Sequence, residues 1–471
     1  MRFGASKCIS ERVGGWGSAP LRIPNRGMSS TSSRETRDLP VNCHRAAAAL
    51  SVTYACVPPV RPRVGDSPPV PRSESPIAVL SPSTRSTPHV VVADRLEALE
   101  PHLSAWEGLA AAAIEPNVFF EPWMLLPAVR AFGGGVDLRF LFIYDREPGE
   151  LIGVFPLERR RFWKLPMACL GVWQHKHCFL GTPLVRTGCG PAALKALFDW
   201  LVHDDKGTRL VEFPRIPCDG PFARVVDDVI RMVGRPSLVT GRQERALLTL
   251  HADDCRADTV LSGPSRRALR RRQRRLAETG QLVFEAVESG ADASRWIEEF
   301  LHLEAAGWKG RMGTAMACNA AEAGFLSAIT GEAAERGQLL ALTLRLGGRP
   351  IACRCAFRAG DGAFAFKSAF DEQFAASSPG VLLELENIRR CRALPGLRWM
   401  DSCTSPDNEM INRLWQGRRT LHTVTVATGR RGGDLAVRCL NALQSIRHRL
   451  RSPVNNTARR QTPPSSPEEL V

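Results

Sequence analysis

The most constraining feature of this sequence is a pattern of elements that occurs twice between about residues 90 and 425. In the second copy, ADASRWIEEFLHLEAAG (291–307) and AEAGFLSAITGEAAERG (321–337) carry apolar residues at three- and four-residue spacing and end in glycine. This spacing predicts two amphipathic helices. Three short alternating segments follow within 339–370, separated by Gly-Gly-Arg-Pro and Gly-Asp-Gly, and these turn sequences predict an antiparallel meander.

The remaining elements of both copies follow in a matching order. After the meander the second copy predicts a helix at 380–393, a strand at 397–403, a helix at 408–417 and a strand at 420–427. The first copy predicts strands at 89–94, 137–145, 150–160 and 208–216, and helices at 96–113, 122–133, 191–204 and 222–234. The copies match in pattern and not in residues. The predicted fold class is therefore α+β, with two tandem domains that each have a mixed, mostly antiparallel sheet flanked by helices.

The two ends of the chain differ in composition from the middle. The first 88 residues hold twelve Lys and Arg against five Asp and Glu, are rich in Pro and Ser, and show no sustained period. Such a segment buries too little apolar surface to fold, so residues 1–87 are predicted to be a disordered basic extension. Two origins stay open for it: a transit peptide, or a translation start chosen too early. The predicted domains are then 88–256 and 257–430, followed by a C-terminal helix and disordered tail over 431–471.

Bulk composition narrows the class of protein. At 471 residues and 44% hydrophobic content, the chain can supply a core for two or three domains. Fourteen cysteines are scattered without a C-x-x-C pair, which favours reduced thiols and a cytoplasmic location. The apolar run AAAALSVTYACV (46–57) is shorter than the ~20 residues that a membrane-spanning helix needs. We therefore predict no membrane span.

The segment FKSAFDEQFAASSPG (366–380) joins a strand to a helix through a Ser-Ser-Pro-Gly corner. The first amides of such a helix have no intrahelical partners and point, with the positive end of the helix dipole, beyond the strand. Ser377 or Ser378 can cap the helix, Pro379 suits its first position, and Gly380 lets a ligand approach the backbone. The corner therefore predicts an anion site that fits a pyrophosphate, although Ser-Pro also starts helices that bind nothing.

Lys367 stands out on the strand that leads to this corner. Strict alternation places it on one face with Ala363, Ala365 and Ala369, opposite the phenylalanines. A buried ammonium without a partner is costly, so we expect Asp371, Glu372 or the charge of a ligand to pair with it.

With these elements in place, the sequence resembles a known family. The helix–helix–meander order, with a phosphate-binding loop after the fourth strand, resembles the GNAT acyltransferase fold, and KSAFDEQFAASSPG resembles its cellulose-biosynthesis branch (CelD/BcsL-type, or BioF2-like). Other matching pieces are LEAAGWKG (303–310), RPIACR (349–354), Asp401 at the end of the fifth strand, Leu414-Trp415, and TPLV (182–185) in the first copy. The resemblance covers roughly residues 90–425. One departure is the phosphate loop, where Q/R-x-x-G-x-G/A is usual. In this chain Gln373 is followed by Phe-Ala-Ala-Ser-Ser-Pro-Gly, with a single glycine at the end of the loop.

The resemblance implies a tandem GNAT-like protein, similar to the FemAB-type peptidoglycan aminoacyltransferases, with acyl transfer in the second copy and substrate binding in the first. It implies acetyl-CoA or acyl-CoA as the donor, held by Gln373, Ser377, Ser378 and Gly380, and no metal. The acceptor would be an amine or hydroxyl of a small molecule or glycan precursor: a sugar, an amino acid, or a cell-envelope or polysaccharide precursor. Two alternatives stay open: an aminoacyl-tRNA donor, and an inactive binding module in exopolysaccharide or cellulose biosynthesis.

An N-acyltransferase must deprotonate an amine and stabilise an oxyanion. We expect Lys367 to bind negative charge near the reacting centre, Asp371 to orient it, and Asp401 to be a candidate base. For each, a surface salt bridge or a helix cap is the alternative. Glu304, Trp308 and Lys309 are candidate substrate-binding residues, because the resemblance places the acceptor loop there.

The histidine-containing segment WQHKHCF (173–179) invites a metal interpretation, because His175, His177 and Cys178 are potential ligands. Alternate-residue histidines without a second ligand pair rarely complete a tetrahedral site, so we predict no metal there. We expect the histidines to line the cleft between the copies, with His175 as a substrate-binding residue.

The segment SRRALRRRQRRLAETG (265–280) has seven arginines in the eleven positions from Ser265. Nucleic acid is one interpretation of so basic a helix. A solvated linker helix over 265–279 is the favoured one, because Leu269 and Leu276 give a single apolar seam and no aromatic residues are interleaved for base stacking. Nucleic acid is thus not expected as a partner, apart from tRNA under the alternative donor. The sequence does not predict the oligomeric state.

Overall fold

The structure is a computed structural model that describes residues 87–162, 167–203, 205, 207–250 and 261–451. The predicted extension over 1–87 lies, except for residue 87, outside the described residues. The predicted boundary at 256/257 and the tail after residue 451 also lie outside them. The described residues belong to a unit that spans Leu80–Val471.

Thirteen strands of the described ranges form a single sheet. Their bounds are β1 His89–Ala93, β2 Leu138–Tyr144, β3 Leu151–Arg161, β4 Ala168–Val172, β5 Leu184–Val185, β6 Leu210–Pro217, β7 Ser237–Thr249, β8 Leu282–Ala286, β9 Leu339–Leu346, β10 Arg349–Ala359, β11 Gly362–Phe370, β12 Trp399–Asp401 and β13 Gly417–Ala427.

Helices cover the sheet. In the described part of the chain they are α1 Leu103–Ala111, α2 Pro122–Phe132, α3 Gly190–His203, α4 Pro221–Val233, α5 Gly263–Glu278, α6 Gly290–Ala306, α7 Trp308–Arg311, α8 Ala320–Glu335, α9 Pro379–Ala393, α10 Glu409–Leu414 and α11 Arg431–Arg451. None of them is both long and apolar enough to cross a membrane.

The strand order shows the repeat. Across the sheet it is β1-β2-β3-β4-β6-β13-β7-β12-β11-β10-β9-β8, with β5 paired to β3. From either edge, four strands pair antiparallel and a fifth pairs parallel to the fourth, as β4 with β6 and β11 with β12. The predicted α+β class, with a mixed and mostly antiparallel sheet and two tandem copies, is confirmed.

The last strand of each copy lies beside the other copy. The strand β7 of the first copy pairs with β12 of the second through Leu247, Leu248 and Thr249. The strand β13 of the second copy pairs with β6 of the first and, from Gly417 to Val426, with β7. Neither β7 nor β8 was predicted from the sequence, and the crossing of β7 and β13 follows from contacts that are remote in sequence.

The predicted second-copy elements are in place. The helices expected at 291–307, 321–337 and 380–393 are α6, α8 and α9, and the predicted meander is β9, β10 and β11. Its turns use glycines with positive φ, at Gly347 and Gly348 (55° and 82°) and at Gly360 (55°). A positive φ is strained for residues that carry a side chain, so glycine is favoured at these turns.

A β-bulge changes the face on which Lys367 lies. Cys355 pairs with Lys367 and Ala356 pairs with Ala365, so Phe366 is an extra residue on β11. Beyond such a bulge the alternation shifts by one. Lys367 reaches His177, whose ring also contacts the Phe366 ring at 6.0 Å. The expectation that Lys367 shares the face of Ala363 and Ala365 is therefore wrong.

The helices of the second copy lie on both faces of its strands. α6 and α8 bury Trp296, Phe300 and Leu326 in the same core as Phe357 and Phe366, and α2 of the first copy packs against α8. On the opposite face, α9 packs Leu382 and Leu383 against β9 and β10. The basic helix α5 joins that second cluster through Leu269 and Leu276, which are buried as the predicted apolar seam.

Candidate functional site

A cleft opens where β11 and β12 separate. The two strands pair in parallel only over Gly362–Phe364 and Trp399–Asp401. Beyond Phe364, β11 runs on to Phe370, whereas the chain after Asp401 leaves the sheet. A cavity of about 810 Å³ lies here, lined by β11 residues on one side and by Ser402–Ser405 on the other. A ligand that enters between the strands can therefore contact both faces of the sheet.

The predicted corner forms one end of this cavity. Pro379 is the first residue of α9, and Ser378 before it is in the left-handed region, with φ 55°. Ser378 and Gly380 line the cavity, and the Gly380 amide donates to no other described residue. A Cβ placed on Gly380 would meet nothing closer than the Met410 sulfur at 3.8 Å. The positive end of α9 thus faces open space.

The two serines of the corner do not cap the helix as predicted. The Ser378 side chain caps no amide of α9, and its Oγ accepts a hydrogen bond from Arg272 Nη1 of α5 at 2.9 Å. Ser377 and Gln373 do not line the cavity. Gln373 lies in a 3-10 turn, with its amide bonded to Asp371 at 3.0 Å. Of the four predicted donor-binding residues, the structure brings Ser378 and Gly380 to the cavity.

Lys367 lines the cavity between the strands. Its Nζ lies 3.1 Å from His177 Nδ1, and no described carboxylate forms an ion pair with it. Burial lowers the pKa of Lys367 to about 8, and the nearby Lys309 adds to this while Glu304 opposes it. A lysine whose pKa lies near 8 can stabilise negative charge in its protonated form, or can exchange a proton near pH 8.

His177 comes from the first copy and links Lys367 to a carboxylate of the second. Its Nε2 lies 2.8 Å from Glu322 on α8, which also pairs with Lys176. Burial, and next the charge of Lys367, lower the pKa of His177 to about 4, so the ring is neutral at pH 7. Facing a carboxylate at Nε2, the ring donates there and accepts from Lys367 at Nδ1. Residues from both copies therefore hold the lysine in place.

The predicted substrate-binding residues of the second copy gather at the cavity. Glu304 is 3% exposed and accepts from Lys309 Nζ at 2.7 Å and from the Met316 amide at 2.8 Å. Trp308 is 54% exposed, and its backbone amide donates to Glu372 at 2.7 Å. Glu304, Trp308 and Lys309 all line the cavity. An exposed indole beside a fixed ion pair suits a polar acceptor with an apolar face.

Asp401 is unsuited to the role of base. It is fully buried and accepts from Arg245 Nη2 at 2.8 Å and from Arg419 Nη1 at 2.9 Å. Burial alone would raise the pKa of this carboxyl, but the two arginines outweigh it and hold the pKa below its usual value. A carboxylate bound in this way is a poor proton acceptor. It joins β12, β7 and β13 instead.

Asp371 and His175 also differ from their predicted roles. Asp371 pairs with Arg349 and caps the 3-10 turn after β11, so it neither contacts Lys367 nor lines the cavity. His175 is buried between the rings of Phe132 and Trp173, at 5.0 and 5.2 Å, and lies behind His177. Burial, and next His177, lower the pKa of His175 to about 3.

Sequence reasoning missed a buried ion pair in the cavity wall. Arg354 Nε on β10 lies 3.2 Å from Glu384 Oε2 on α9, and Glu384 Oε1 also accepts from Asn387 and Trp415. Both side chains of the pair are 5% exposed. The available signal was an arginine inside the apolar run IACRCAF and a glutamate one helical turn after Gly380.

The equivalent cleft of the first copy is filled by its own chain. There β4 and β6 pair in parallel only over Cys169–Gly171 and Leu210–Glu212. Beyond this point Arg215 donates to Gln174 Oε1 and to the Cys178 carbonyl, both at 2.7 Å. A Cβ on Gly181 would lie 2.0 Å from the Pro214 oxygen, so this loop packs directly on β6. The loop that fills the cleft is the one that carries His177.

Comparisons with known proteins match part of the chain to a family. Residues 264–409 match the family described as an acetyltransferase (GNAT) domain. This range includes nearly all of α5 and the whole of α6, α8, the meander, α9 and β12. No curated protein matches the chain.

Solved structures with similar folds share little sequence with it. A conserved protein of unknown function from Bacteroides thetaiotaomicron is 11% identical, with a TM-score of 0.46 and coverage of 72% of this chain and 99% of that one. A structure of FemX is 11% identical, with a TM-score of 0.46 and coverage of 69% and 95%. L-PGS from Bacillus licheniformis is 14% identical, with a TM-score of 0.42 and coverage of 73% and 96%.

Proposed function

Because residues 264–409 match the family described as an acetyltransferase (GNAT) domain, we propose that this chain is an acyltransferase with its donor between β11 and β12 and its acceptor beside Lys367. The donor is acetyl-CoA or another acyl-CoA. The acceptor is an amine or hydroxyl of a small molecule or glycan precursor, such as a building block of a polysaccharide. The observation that carries the proposal is a single cavity that connects the free amide of Gly380 with the ammonium of Lys367.

The start of α9 supplies the donor's anchor. Backbone amides and the positive dipole end of a helix bind diphosphate groups, and a glycine at this point lets the phosphates approach the backbone. Ser378 and Arg272 lie beside Gly380 and add a hydroxyl and a guanidinium. The thioester would then extend from the diphosphate into the gap between the strands.

Lys367 is proposed to act on the reacting atoms. The nucleophilic nitrogen or oxygen of the acceptor forms a bond to the thioester carbonyl carbon, the carbon–sulfur bond breaks, and the acceptor proton leaves with the thiol. The Lys367 ammonium stabilises the negative charge that develops on the carbonyl oxygen. His177 and Glu322 hold the ammonium in place, and Trp308 with the Glu304–Lys309 pair binds the acceptor.

Aminoacyl-tRNA is a second candidate donor, favoured by one observation. Arg272 of the basic helix α5 donates a hydrogen bond to Ser378. This helix therefore lies beside the end of the cavity where the donor phosphates would bind. Arg267, Arg271, Arg274 and Arg275 of the same helix are exposed. An exposed arginine face beside the donor cleft could bind phosphates of an RNA backbone.

Donor binding by calorimetry tests the proposal with a matched pair of variants. Wild type should bind acetyl-CoA, and Gly380→Trp should weaken binding more than tenfold because the indole fills the space beside the amide. Gly380→Ala should bind within about twofold of wild type, because its methyl group would make only ordinary contact with Met410. Binding of charged tRNA that falls steeply with salt, and no binding of CoA, would select the second donor. Equal affinity for acetyl-CoA in all three proteins would contradict the site.

We also propose a cytoplasmic location. The ten cysteines in the described part of the chain are free thiols, seven of them buried or half-buried. A reducing compartment keeps such thiols intact.

A further inference from the structure

The last helix, α11, is docked on the sheet by only one of its faces. Val437 is fully buried, and Leu440 packs with it against a cluster that includes Leu210 and Leu238. Asn441 Nδ2 donates to the Ser237 carbonyl at 2.7 Å, beside the start of β7. This inner face attaches the helix to the sheet.

The opposite face of α11 is an exposed apolar stripe. Leu435 is 65% exposed, and Leu443 and Ile446 are each 52% exposed. Cys439 and Ala442 are exposed between them, which completes a spacing of four, three and four residues along one side of the helix. Single exposed apolar residues are common, but a continuous stripe on one helix face marks a surface that contacts something else.

The charge of α11 indicates the kind of partner. Its 21 residues include five arginines and one aspartate, Asp434. Arg438 is exposed beside the stripe, and the sequence places Arg447, Arg449 and Arg451 in the last turns. Apolar side chains flanked by arginine on a surface helix complement a layer of anionic headgroups over acyl chains. A parallel contact with α11 of a second copy of this chain would bring the same arginines together, which disfavours that arrangement.

We propose that α11 binds the surface of a bilayer that contains anionic phospholipids, with Leu435, Leu443 and Ile446 inserted below the headgroups. This interaction surface is separate from the donor cleft and does not depend on the proposed acyl transfer. It would hold the protein at a membrane without a spanning segment.

Flotation of the full chain with large unilamellar vesicles tests this inference. Wild type should float with vesicles of phosphatidylcholine that contain 30 mol% phosphatidylglycerol and remain at the bottom with phosphatidylcholine alone. Leu435→Ser/Ile446→Ser should lower the bound fraction about tenfold, because two partly inserted aliphatic side chains are lost. Arg438→Glu should also lower it, and 0.5 M salt should release the protein.

Matched controls distinguish an effect of the apolar stripe from nonspecific hydrophobic binding and from misfolding. Met232→Ser/Val283→Ser removes two exposed apolar side chains elsewhere, 67% and 41% exposed, and should float as wild type does. All variants should keep the wild-type circular dichroism spectrum and melting temperature within about 2 °C, as expected for exposed positions. Flotation that the stripe variant does not change would overturn the proposal. So would a wild-type dimer that becomes monomeric in this variant while wild type binds no vesicles.

Discussion

Lys367 is a half-buried cation whose hydrogen-bonding partner carries no charge. His177 faces it with a neutral ring, while Glu304, a carboxylate that raises its pKa, is bound to Lys309. Burial accordingly lowers the pKa of Lys367 to about 8. A charge in such surroundings costs folding free energy, and buried groups of this kind cluster at functional sites. The lysine therefore fits a catalytic role better than a structural one.

Lys367→Met should stabilise the fold at pH 7 while abolishing acyl transfer. The folded pKa of about 8 lies below the ordinary value of 10.5, so below pH 8 both folded and unfolded states hold the proton and the folded state bears the full penalty. Between pH 8 and 10.5 the unfolded state binds more protons, and wild-type stability rises. The variant should be about 2 kcal/mol more stable at pH 7, with an advantage that disappears near pH 10.5.

Urea unfolding at pH 7, 8.5 and 10 measures this difference. Lys195→Met is the control, because Lys195 is exposed on α3 and pairs with Asp199 four residues away at 2.6 Å. It should change stability by less than about 0.5 kcal/mol with no trend over this pH range. A Lys367→Met protein that is less stable than wild type at pH 7 would mean that the ammonium is held by favourable interactions.

At the scale of elements, helices and turns were predicted correctly where the sequence signal lay within a single segment. Apolar spacing predicted α6, α8 and α9, glycine turns predicted the meander, and Pro379 marked the first residue of a helix. The bulge at Phe366 was out of reach, because it depends on how β10 and β11 pair and not on either strand alone. For the same reason alternation placed Lys367 on the wrong face of β11.

The site residues divide in the same way. Gly380 and Lys367 were predicted from features of one segment, whereas the partner of Lys367 was not. His177 lies 190 residues away in the other copy, and its contact with Lys367 exists only because the loop after β4 fills the first cleft. Asp401 was misjudged because its arginines come from β7 and β13, which are distant in sequence.

The filled cleft of the first copy predicts one donor site per chain. Arg215 and the loop before Leu184 occupy the space that the second copy leaves open, so a second donor has no room. Calorimetry should give a stoichiometry of one acetyl-CoA per chain. Gly380→Trp should reduce it to none, whereas a chain with two sites would retain one. A measured stoichiometry of two would mean that the first cleft opens in solution.

At the scale of the whole molecule, the exchange of β7 and β13 makes the two copies interdependent. The four central strands are, in order, β6, β13, β7 and β12, and they come alternately from the first and the second copy. Asp401 on β12 binds Arg245 on β7 and Arg419 on β13, which fixes the centre of the sheet with a buried ion pair network. Removing either copy would leave the other with unpaired strand edges and unpartnered buried charges.

Each copy expressed separately should therefore fail to fold, whereas the two copies expressed together should form the native structure. Fragments 80–255 and 256–471 divide the chain between β7 and α5. Without β13 the first fragment has no strand between β6 and β7, and without β7 the second exposes the edge of β12. Expressed alone, each fragment should give no cooperative urea transition, because its central strands lack hydrogen-bonding partners.

Expressed together, the fragments should copurify as a 1:1 complex with the spectrum of the intact chain and one unfolding transition. A single fragment with a cooperative transition of its own would contradict the interdependence, and would show that β7 or β13 can fold back onto its own copy.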